Sequence, residues 1–222
     1  MYFANRHAAG RWLATALEPY RDPHVMVLAL PRGGVPVAYE VAHALGAPLD
    51  VLVVRKVGAP GNPELAIGAV APDITLIDHE TVSLLGVSDA YVAEASRRAR
   101  DEVREGVERF RGTTPWPDLR HRTVIVVDDG IATGATAGAA ARAVRQLGAG
   151  KVIVAAPVCT RQAAQALSTV ADDVVCLYKP EPFAAVGYWY VDFTQTTDEE
   201  VRDLVERARQ ERARPLATAG TP

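Results

Sequence analysis

Residues 124–138, VIVVDDGIATGATAG, decide how this chain folds. Four β-branched residues open the stretch, and they predict a short strand that is buried on both faces. Two acids follow, Asp128 and Asp129, and a run of small residues then leads into an alanine-rich helix. In such a strand–loop–helix unit, N–H groups of the loop and of the first helical turn point at an anion, normally a phosphate. The two carboxylates repel a phosphate and must therefore face hydroxyls or a cation on the same ligand.

The rest of the chain alternates between apolar strands and amphipathic helices, which predicts an α/β fold. Parallel strands with helices on both faces read as continuous apolar runs, so we expect one mostly parallel central sheet in a three-layer arrangement. Predicted strands are 24–30, 50–54, 66–70, 74–77, 124–127, 151–156 and 174–177. Predicted helices are 4–18, 35–45, 88–111, 134–147, 160–170 and 198–212.

Composition narrows the class of protein. The 222 residues suffice for one domain, and the net charge of −3 gives no reason to expect a nucleic-acid partner. No apolar run approaches the roughly 20 residues needed to cross a membrane, and the N-terminus lacks the apolar core of a signal peptide. The two cysteines lie in or beside apolar runs, which is typical of buried thiols in a reducing compartment. These features predict a cytoplasmic protein with neither a membrane nor a nucleic-acid partner.

Three loops are expected to meet at the carboxyl edge of the sheet, where open α/β sheets bind ligands. The first supplies Arg32 and two glycines whose amides can approach an anion closely. The second begins with Arg55 and Lys56 and continues as GAPGNPE over 58–64, whose prolines and glycines predict an irregular loop. The third supplies the acids and the phosphate cradle, so together the loops suit a ligand with phosphates at both ends and hydroxyls between them. The three loops are 31–36, 55–64 and 128–136.

Residues 124–136 resemble the signature with which type I phosphoribosyltransferases bind phosphoribosyl pyrophosphate (PRPP). Both patterns have four apolar residues, two acids, two mostly apolar residues, and small residues with Thr-Gly near the end. LPRGGVPVA at 30–38 resembles the pyrophosphate loop of the family, and VVRKVG at 53–58 resembles the Arg-Lys strand end of its adenine-type members.

The resemblance covers about 24–178 and implies a type I phosphoribosyltransferase-like fold, which is Rossmann-like with three layers and a small irregular hood. We expect a single domain over residues 1–222. The hood is expected to come from about 179–197 and parts of the N-terminus, and 213–222 are predicted to be a disordered tail.

The resemblance also implies a role for each of the three loops. Asp128 and Asp129 would hold the 2′- and 3′-hydroxyls of the ribose, directly or through Mg²⁺, which is the expected cofactor. Arg32, Lys56 and the two acids would form the catalytic set. The residues expected around the 5′-phosphate are Ala132, Thr133, Gly134, Ala135 and Thr136. Those expected at the pyrophosphate are Arg32, Gly33, Gly34, Arg55 and Lys56.

The implied reaction transfers the phosphoribosyl group of PRPP to a nitrogen acceptor, expected to be a nucleobase, and a homodimer is expected from the same resemblance. Ala132 stands where hypoxanthine/guanine-type members carry an acid near the base, which disfavours a 6-oxopurine acceptor. Gly130 replaces the usual apolar residue, a change expected to loosen the turn without removing phosphate binding. Phe183, Tyr188 and Trp189 either stack on the acceptor ring or simply cap the core.

An alternative of another class is a protein that binds PRPP or a nucleotide as a regulator and transfers nothing. Its near-neutral charge argues against direct regulation of a nucleic acid. A receiver-like or haloacid-dehalogenase-like phosphotransfer site could also place acids after a strand, but it would not need Thr-Gly-x-Thr running into a helix. The glycines at 130, 134 and 138 do not fit the GxGxxG spacing of dinucleotide sites, and the Gly-Lys-Ser/Thr motif of a P-loop is absent from the sequence.

Overall fold

A computed structural model describes residues 2–213 of the chain. Of the predicted tail 213–222, Ala213 closes the last helix and the other residues lie outside the described part. The helices are α1 Arg6–Leu17, α2 Gly34–Leu45, α3 His79–Leu84, α4 Asp89–Arg111, α5 Ala135–Gln146, α6 Arg161–Leu167 and α7 Asp198–Ala213, with 3₁₀ turns at Glu18–Tyr20 and Val186–Trp189. The strands are β1 Val25–Ala29, β2 Leu49–Val51, β3 Arg55–Ala59, β4 Asn62–Ala71, β5 Ile74–Ile77, β6 Thr123–Val127, β7 Lys151–Val158 and β8 Asp173–Tyr178.

The central sheet has five parallel strands in the order β2-β1-β6-β7-β8. Its inner strands β1, β6 and β7 are buried along nearly their whole length, as their unbroken apolar sequences predict. β1 pairs with β6 so that Val25 lies opposite Thr123 and Ala29 lies opposite Val127. The loops that follow these two strands therefore leave the sheet side by side. The predicted α/β class with a mostly parallel sheet is confirmed.

Residues 55–77 form a second, smaller sheet that the sequence analysis did not predict. Strands β3, β4 and β5 pair antiparallel in that order. The prediction of an irregular loop over 58–64 is wrong, because this segment carries the turn of a hairpin. Pro60 and Gly61 form the turn, and Gly61 adopts a φ of 73°, a left-handed conformation that favours glycine. The strand predicted at 50–54 is too long, because the chain leaves the central sheet there to enter the second one.

Proline is tolerated in this hairpin because the strand register shifts beside it. Gly58 pairs with Ala66, whereas the next residue, Ala59, pairs with Asn62, so β4 bulges over the residues between. Pro63 lies in that bulge, where its missing N–H interrupts no regular ladder. A Cβ atom on Gly58 would lie 2.7 Å from the carbonyl oxygen of Pro63. The two strands therefore approach so closely that only glycine fits at this position.

The long helix α4 is capped at its N-terminus and has one buried face and one charged face. The Ser88 hydroxyl accepts a hydrogen bond from the Tyr91 N–H at 3.3 Å, as an N-cap does. Ala95 and Ala99 are buried against the core, whereas Arg104 is 67% exposed on the opposite side. Within residues 2–213, neither this helix nor any other has the length and apolar character needed to cross a membrane.

A buried ion pair ties α4 to β2. The Arg111 guanidinium donates to both carboxylate oxygens of Asp50, from Nε at 2.7 Å and from Nη2 at 2.8 Å. The two side chains are only 2% and 8% exposed. Arg111 also donates to the Pro115 carbonyl at 2.9 Å and lies 4.6 Å from the ring centroid of Trp116. Each charge thus has the hydrogen bonds that a buried position demands.

We expect Arg111→Ala to lower the free energy of unfolding by about 3 kcal/mol, because the buried Asp50 carboxylate loses both hydrogen bonds from Arg111 and is left with the weaker ion pair to Arg209 at 3.7 Å. Arg104→Ala is the matched control on the same helix, since this exposed arginine pairs with the solvated Asp101 at 2.8 Å and should cost less than about 1 kcal/mol. Urea unfolding followed by circular dichroism measures both values. Equal midpoints for the two variants would contradict the assignment of Arg111 as a structural anchor.

Candidate functional site

The loops after β1 and β6 pack directly against each other at the carboxyl edge of the central sheet. A Cβ atom on Gly34 would lie 2.7 Å from the Val127 carbonyl oxygen and 3.0 Å from the Cα atom of Asp128. A Cβ atom on Gly33 would lie 2.0 Å from a carboxylate oxygen of Asp129. Both glycines are therefore needed for close approach, and the predicted first and third loops do come together. The peptide bond that enters this glycine pair, between Pro31 and Arg32, is cis.

The two acids at the end of β6 occupy a desolvated position. One carboxylate oxygen of Asp128 accepts the backbone N–H of Asp129 at 2.9 Å. The pKa of Asp128 lies well above its usual range, because burial disfavours its charge and the neighbouring carboxylate repels it. Burial raises the pKa of Asp129 as well, although an ion pair with Arg6 works in the opposite direction. Two carboxylates in such a place are poised to bind a group that brings hydroxyl donors or positive charge.

Arg6 is a site residue that the sequence analysis missed. Its Nε atom donates to the Asp129 carboxylate at 2.8 Å, and the two side chains are 11% and 14% exposed. Its guanidinium carbon lies 3.8 Å from the ring centroid of Phe193, and Nη1 donates to the Thr194 carbonyl at 2.7 Å. One signal could have found it: Asn5 caps α1, so Arg6 places a cation in the first helical turn, where the helix dipole disfavours it.

The predicted phosphate cradle lies where β6 gives way to α5. Ala132, Thr133 and Thr136 are not buried, and α5 begins at Ala135 immediately beside them. The start of α6 fixes the backbone of this loop, since the hydroxyl of its N-cap residue Thr160 donates to the Ala132 carbonyl at 2.8 Å. An open loop of small residues at a helix N-terminus can bind an anion through backbone N–H groups.

Gly130 has a packing role that the sequence did not indicate. A Cβ atom on Gly130 would lie 2.3 Å from the Cγ1 atom of Val186 and 3.1 Å from that of Val158. Val186 belongs to the aromatic segment 183–193, so this segment packs directly on the loop that carries the acids. The family's usual apolar side chain would not fit here.

The cations predicted at the pyrophosphate are only partly brought together. Arg32 and Arg55 line one cavity of about 320 Å³, which Arg109 of α4 also lines. Arg55 pairs with Glu102 at 2.9 Å. Lys56 is partly buried on β3, and because successive strand residues point to opposite faces, its side chain leaves the strand on the other side from Arg55.

The aromatic segment 183–193 contacts the acids through Tyr190, which was not among the residues predicted to stack on the acceptor. The Tyr190 hydroxyl donates to the Asp129 carbonyl at 2.5 Å, and burial raises the pKa of Tyr190, which keeps it a donor. Trp189 is 8% exposed and packs beside Phe3, whose N–H donates to the Trp189 carbonyl at 2.8 Å. Tyr188 is 58% exposed. Trp189 thus caps a core, and the predicted acceptor contacts of Phe183, Tyr188 and Trp189 stay predictions.

Similarity to known proteins shows the family to which this chain belongs. The chain matches the model of the phosphoribosyl transferase domain over residues 2–190. It belongs to the phosphoribosyltransferase family. The resemblance noted in residues 124–136 is therefore confirmed.

Relatives agree with this assignment. Two Mycobacterium tuberculosis proteins, from strains CDC 1551 / Oshkosh and ATCC 25618 / H37Rv, are provisionally named phosphoribosyl transferases and are each 45% identical to this chain over 210 residues. The match covers 94% of this chain and 47% of each relative, so the chain spans about half their length. The crystal structure of TT1426 from Thermus thermophilus is 44% identical, with a TM-score of 0.87 over 93% of this chain and 99% of that one.

The carboxylates of Asp128 and Asp129 have the chemistry of magnesium ligands. Among residues 2–213, no group of three or more histidines, cysteines or acids is arranged to hold a metal by itself. Mg²⁺ is commonly bound by one or two carboxylates together with substrate phosphates and water. Asp128 and Asp129 would supply the two carboxylates of such a site, and a substrate and water would supply the remaining oxygen ligands.

Gly130→Ala should destabilise the protein by about 1–3 kcal/mol, because the added methyl group overlaps Val186. Val186→Ala in the same chain should recover much of the loss, since it removes the methyl groups that are struck. Chemical unfolding of the two single variants and the double variant measures the coupling free energy. If the losses in unfolding free energy of the two single variants simply add in the double variant, Val186 does not pack against Gly130.

Asp128→Asn should raise the thermal midpoint of the ligand-free protein at pH 8 by a few degrees, given that about 1 kcal/mol shifts a domain of this size by about 2–4 °C. A raised folded-state pKa means that ionised Asp128 costs stability, and asparagine still accepts the Asp129 N–H. The advantage should begin to shrink as the pH falls below the raised pKa of Asp128 in the folded protein, where the wild-type carboxyl gains its proton. It should vanish only near the ordinary carboxyl pKa of the unfolded chain. Asp101→Asn, on the solvated face of α4, is the control, and an unchanged midpoint for Asp128→Asn at pH 8 would contradict the assigned pKa direction.

Proposed function

We propose that this phosphoribosyltransferase transfers the 5-phosphoribosyl group of PRPP to a nitrogen atom of an acceptor and releases pyrophosphate. One observation carries the proposal: Gly33 and Gly34 pack onto Asp128 and Asp129 beside the N-terminus of α5. This packing brings an anion-binding loop, a carboxylate pair and a second anion-binding loop into one row. PRPP has the same order of groups, with pyrophosphate, ribose hydroxyls and 5′-phosphate.

Each part of that row would bind a different part of PRPP. The open loop Ala132–Thr136 and the first turn of α5 would bind the 5′-phosphate with backbone N–H groups and two threonine hydroxyls. Asp128 and Asp129 would accept hydrogen bonds from the ribose hydroxyls. Arg32 and the N–H group of Gly33 would bind pyrophosphate, whereas the Gly34 N–H already donates to the Leu30 carbonyl at 3.0 Å. Arg55 lines the same cavity as Arg32 and would assist there.

In the reaction, the bond between C1 of the ribose and the pyrophosphate oxygen breaks, and its electron pair leaves with pyrophosphate. A lone pair on the acceptor nitrogen forms the new bond to C1, and the acceptor then loses a proton. Positive charge develops on the ribose in between, so carboxylates beside the ring and cations at the leaving group both lower the barrier. Mg²⁺ would supply further neutralisation of the leaving group when it is bound.

The acceptor is proposed to be a nucleobase other than a 6-oxopurine. Ala132 presents a methyl group, which neither accepts nor donates a proton, where hypoxanthine/guanine-type members carry an acid. The chain must therefore rely on the chemistry of the acceptor itself, or on another group, to remove the proton. We also propose, from the family resemblance, that the protein works in the cytoplasm as a homodimer.

The deciding experiment supplies PRPP, Mg²⁺ and a panel of nucleobases and amines, and follows pyrophosphate release. We expect turnover with at least one acceptor, and at least about tenfold weaker PRPP binding in the double variant Asp128→Asn/Asp129→Asn, since a charge-assisted hydrogen bond contributes about 1.5–3 kcal/mol. Asp101→Asn, an exposed acid of α4, should bind PRPP as the wild type does.

Two results would overturn the proposal in different ways. A wild-type protein that binds no PRPP refutes the site. PRPP binding without turnover on any acceptor of the panel refutes the enzyme and leaves a PRPP-binding regulator.

A further inference from the structure

A cation from α4 stands beside the pyrophosphate loop and has no part in the roles described so far. Arg109 lines the same cavity of about 320 Å³ as Arg32 and Arg55. Its side chain is 52% exposed, so its guanidinium can turn without disturbing the core. Three arginines, contributed by the loop after β1, by β3 and by α4, thus line one small space.

The acid that faces Arg109 is shared. One carboxylate oxygen of Asp198 lies 3.4 Å from Arg32 Nη1, and the other lies 3.8 Å from Arg109 Nε. Both distances exceed the roughly 2.7–2.9 Å of a strong charge-assisted hydrogen bond. Asp198 stands at the start of α7, so a single carboxylate steadies two guanidinium groups and saturates neither of them.

We propose that Arg109 is a pyrophosphate-binding residue, which Asp198 holds beside Arg32 until the anion arrives. The proposal rests on the proposed function, because it assigns a further residue to the pyrophosphate end of PRPP. Pyrophosphate carries several negative charges and presents many acceptor oxygens, so it competes well with one carboxylate for two guanidinium groups. Arg32 and Arg109 then approach the anion from different elements, one on each side of Asp198.

The charges that line the cavity determine whether a substitution should strengthen or weaken the binding of pyrophosphate. Two acids of α4 also line this space, Glu102, which pairs with Arg55 at 2.9 Å, and Glu105, one turn before Arg109. Glu105 is the acid chosen for the test. Removing that charge should strengthen the binding of an anion, whereas removing Arg109 should weaken it. A role of Arg109 in stability alone, such as a favourable cation at the C-terminal end of a helix, makes no such pair of opposite predictions.

The test titrates three ligands into the wild type and four variants in the presence of Mg²⁺. Inorganic pyrophosphate reports the proposed subsite, ribose 5-phosphate reports the rest of the site, and PRPP reports both. Arg109→Ala should weaken pyrophosphate and PRPP binding by about tenfold, and Arg109→Lys by less, while ribose 5-phosphate binding stays within about twofold. Glu105→Gln should tighten pyrophosphate binding by about twofold, since an exposed charge acts weakly. Arg104→Ala, which removes one charge from the same helix away from this cavity, should change none of the three.

Each contrary outcome has its own meaning. If the wild type binds PRPP but Arg109→Ala binds pyrophosphate as tightly as Arg104→Ala does, the inference is overturned and the proposed function stands. If Arg109→Ala weakens ribose 5-phosphate as much as pyrophosphate, Arg109 is structural and the inference is again overturned. If the wild type binds neither PRPP nor pyrophosphate, the proposed function fails and the inference fails with it.

Discussion

Two adjacent carboxylates at the end of a buried strand are the constraint on which the rest of this structure depends. Asp128 and Asp129 follow β6 directly, so neither can move away from the other or out toward bulk water. Such a pair is unfavourable unless its surroundings compensate. The compensation comes from one backbone N–H, from Arg6, and from two glycines that let the neighbouring loop close over the acids without a side chain between them.

That compensation explains why the first helix and the segment before the last helix both pack against the acids. Arg6 lies in the first helix, yet its charge is used at the end of the sixth strand, 123 residues later. Phe193 and Thr194 then cover the guanidinium, and Tyr190 holds the backbone of Asp129. The N-terminal helix and the late aromatic segment are therefore parts of the acid site, and a disturbance of either reaches the carboxylates through a single contact.

The contrast between local and distant contacts explains which features the sequence could predict. Residues 124–138 predicted a strand, two acids and an anion-binding helix start, because each of these follows from neighbours in the chain. The hairpin over 58–64 was mistaken for a loop, because its prolines and glycines are compatible with a strand only through a turn and a bulge that pairing creates. Arg6 and Tyr190 could not be paired with Asp129 from sequence alone, since no local pattern links residues so far apart.

The charges of the site explain how one arrangement can be both costly and useful. The acids are paired with less positive charge than they need, whereas Arg32 and Arg109 share less negative charge than they could hold. A ligand that brings hydroxyls or a cation to the acids and an anion to the guanidinium groups relieves both imbalances at once. Charge that is left uncompensated costs folding stability in the ligand-free protein and at the same time favours the binding of such a ligand. A protein built for stability alone would have placed an apolar side chain at this strand end.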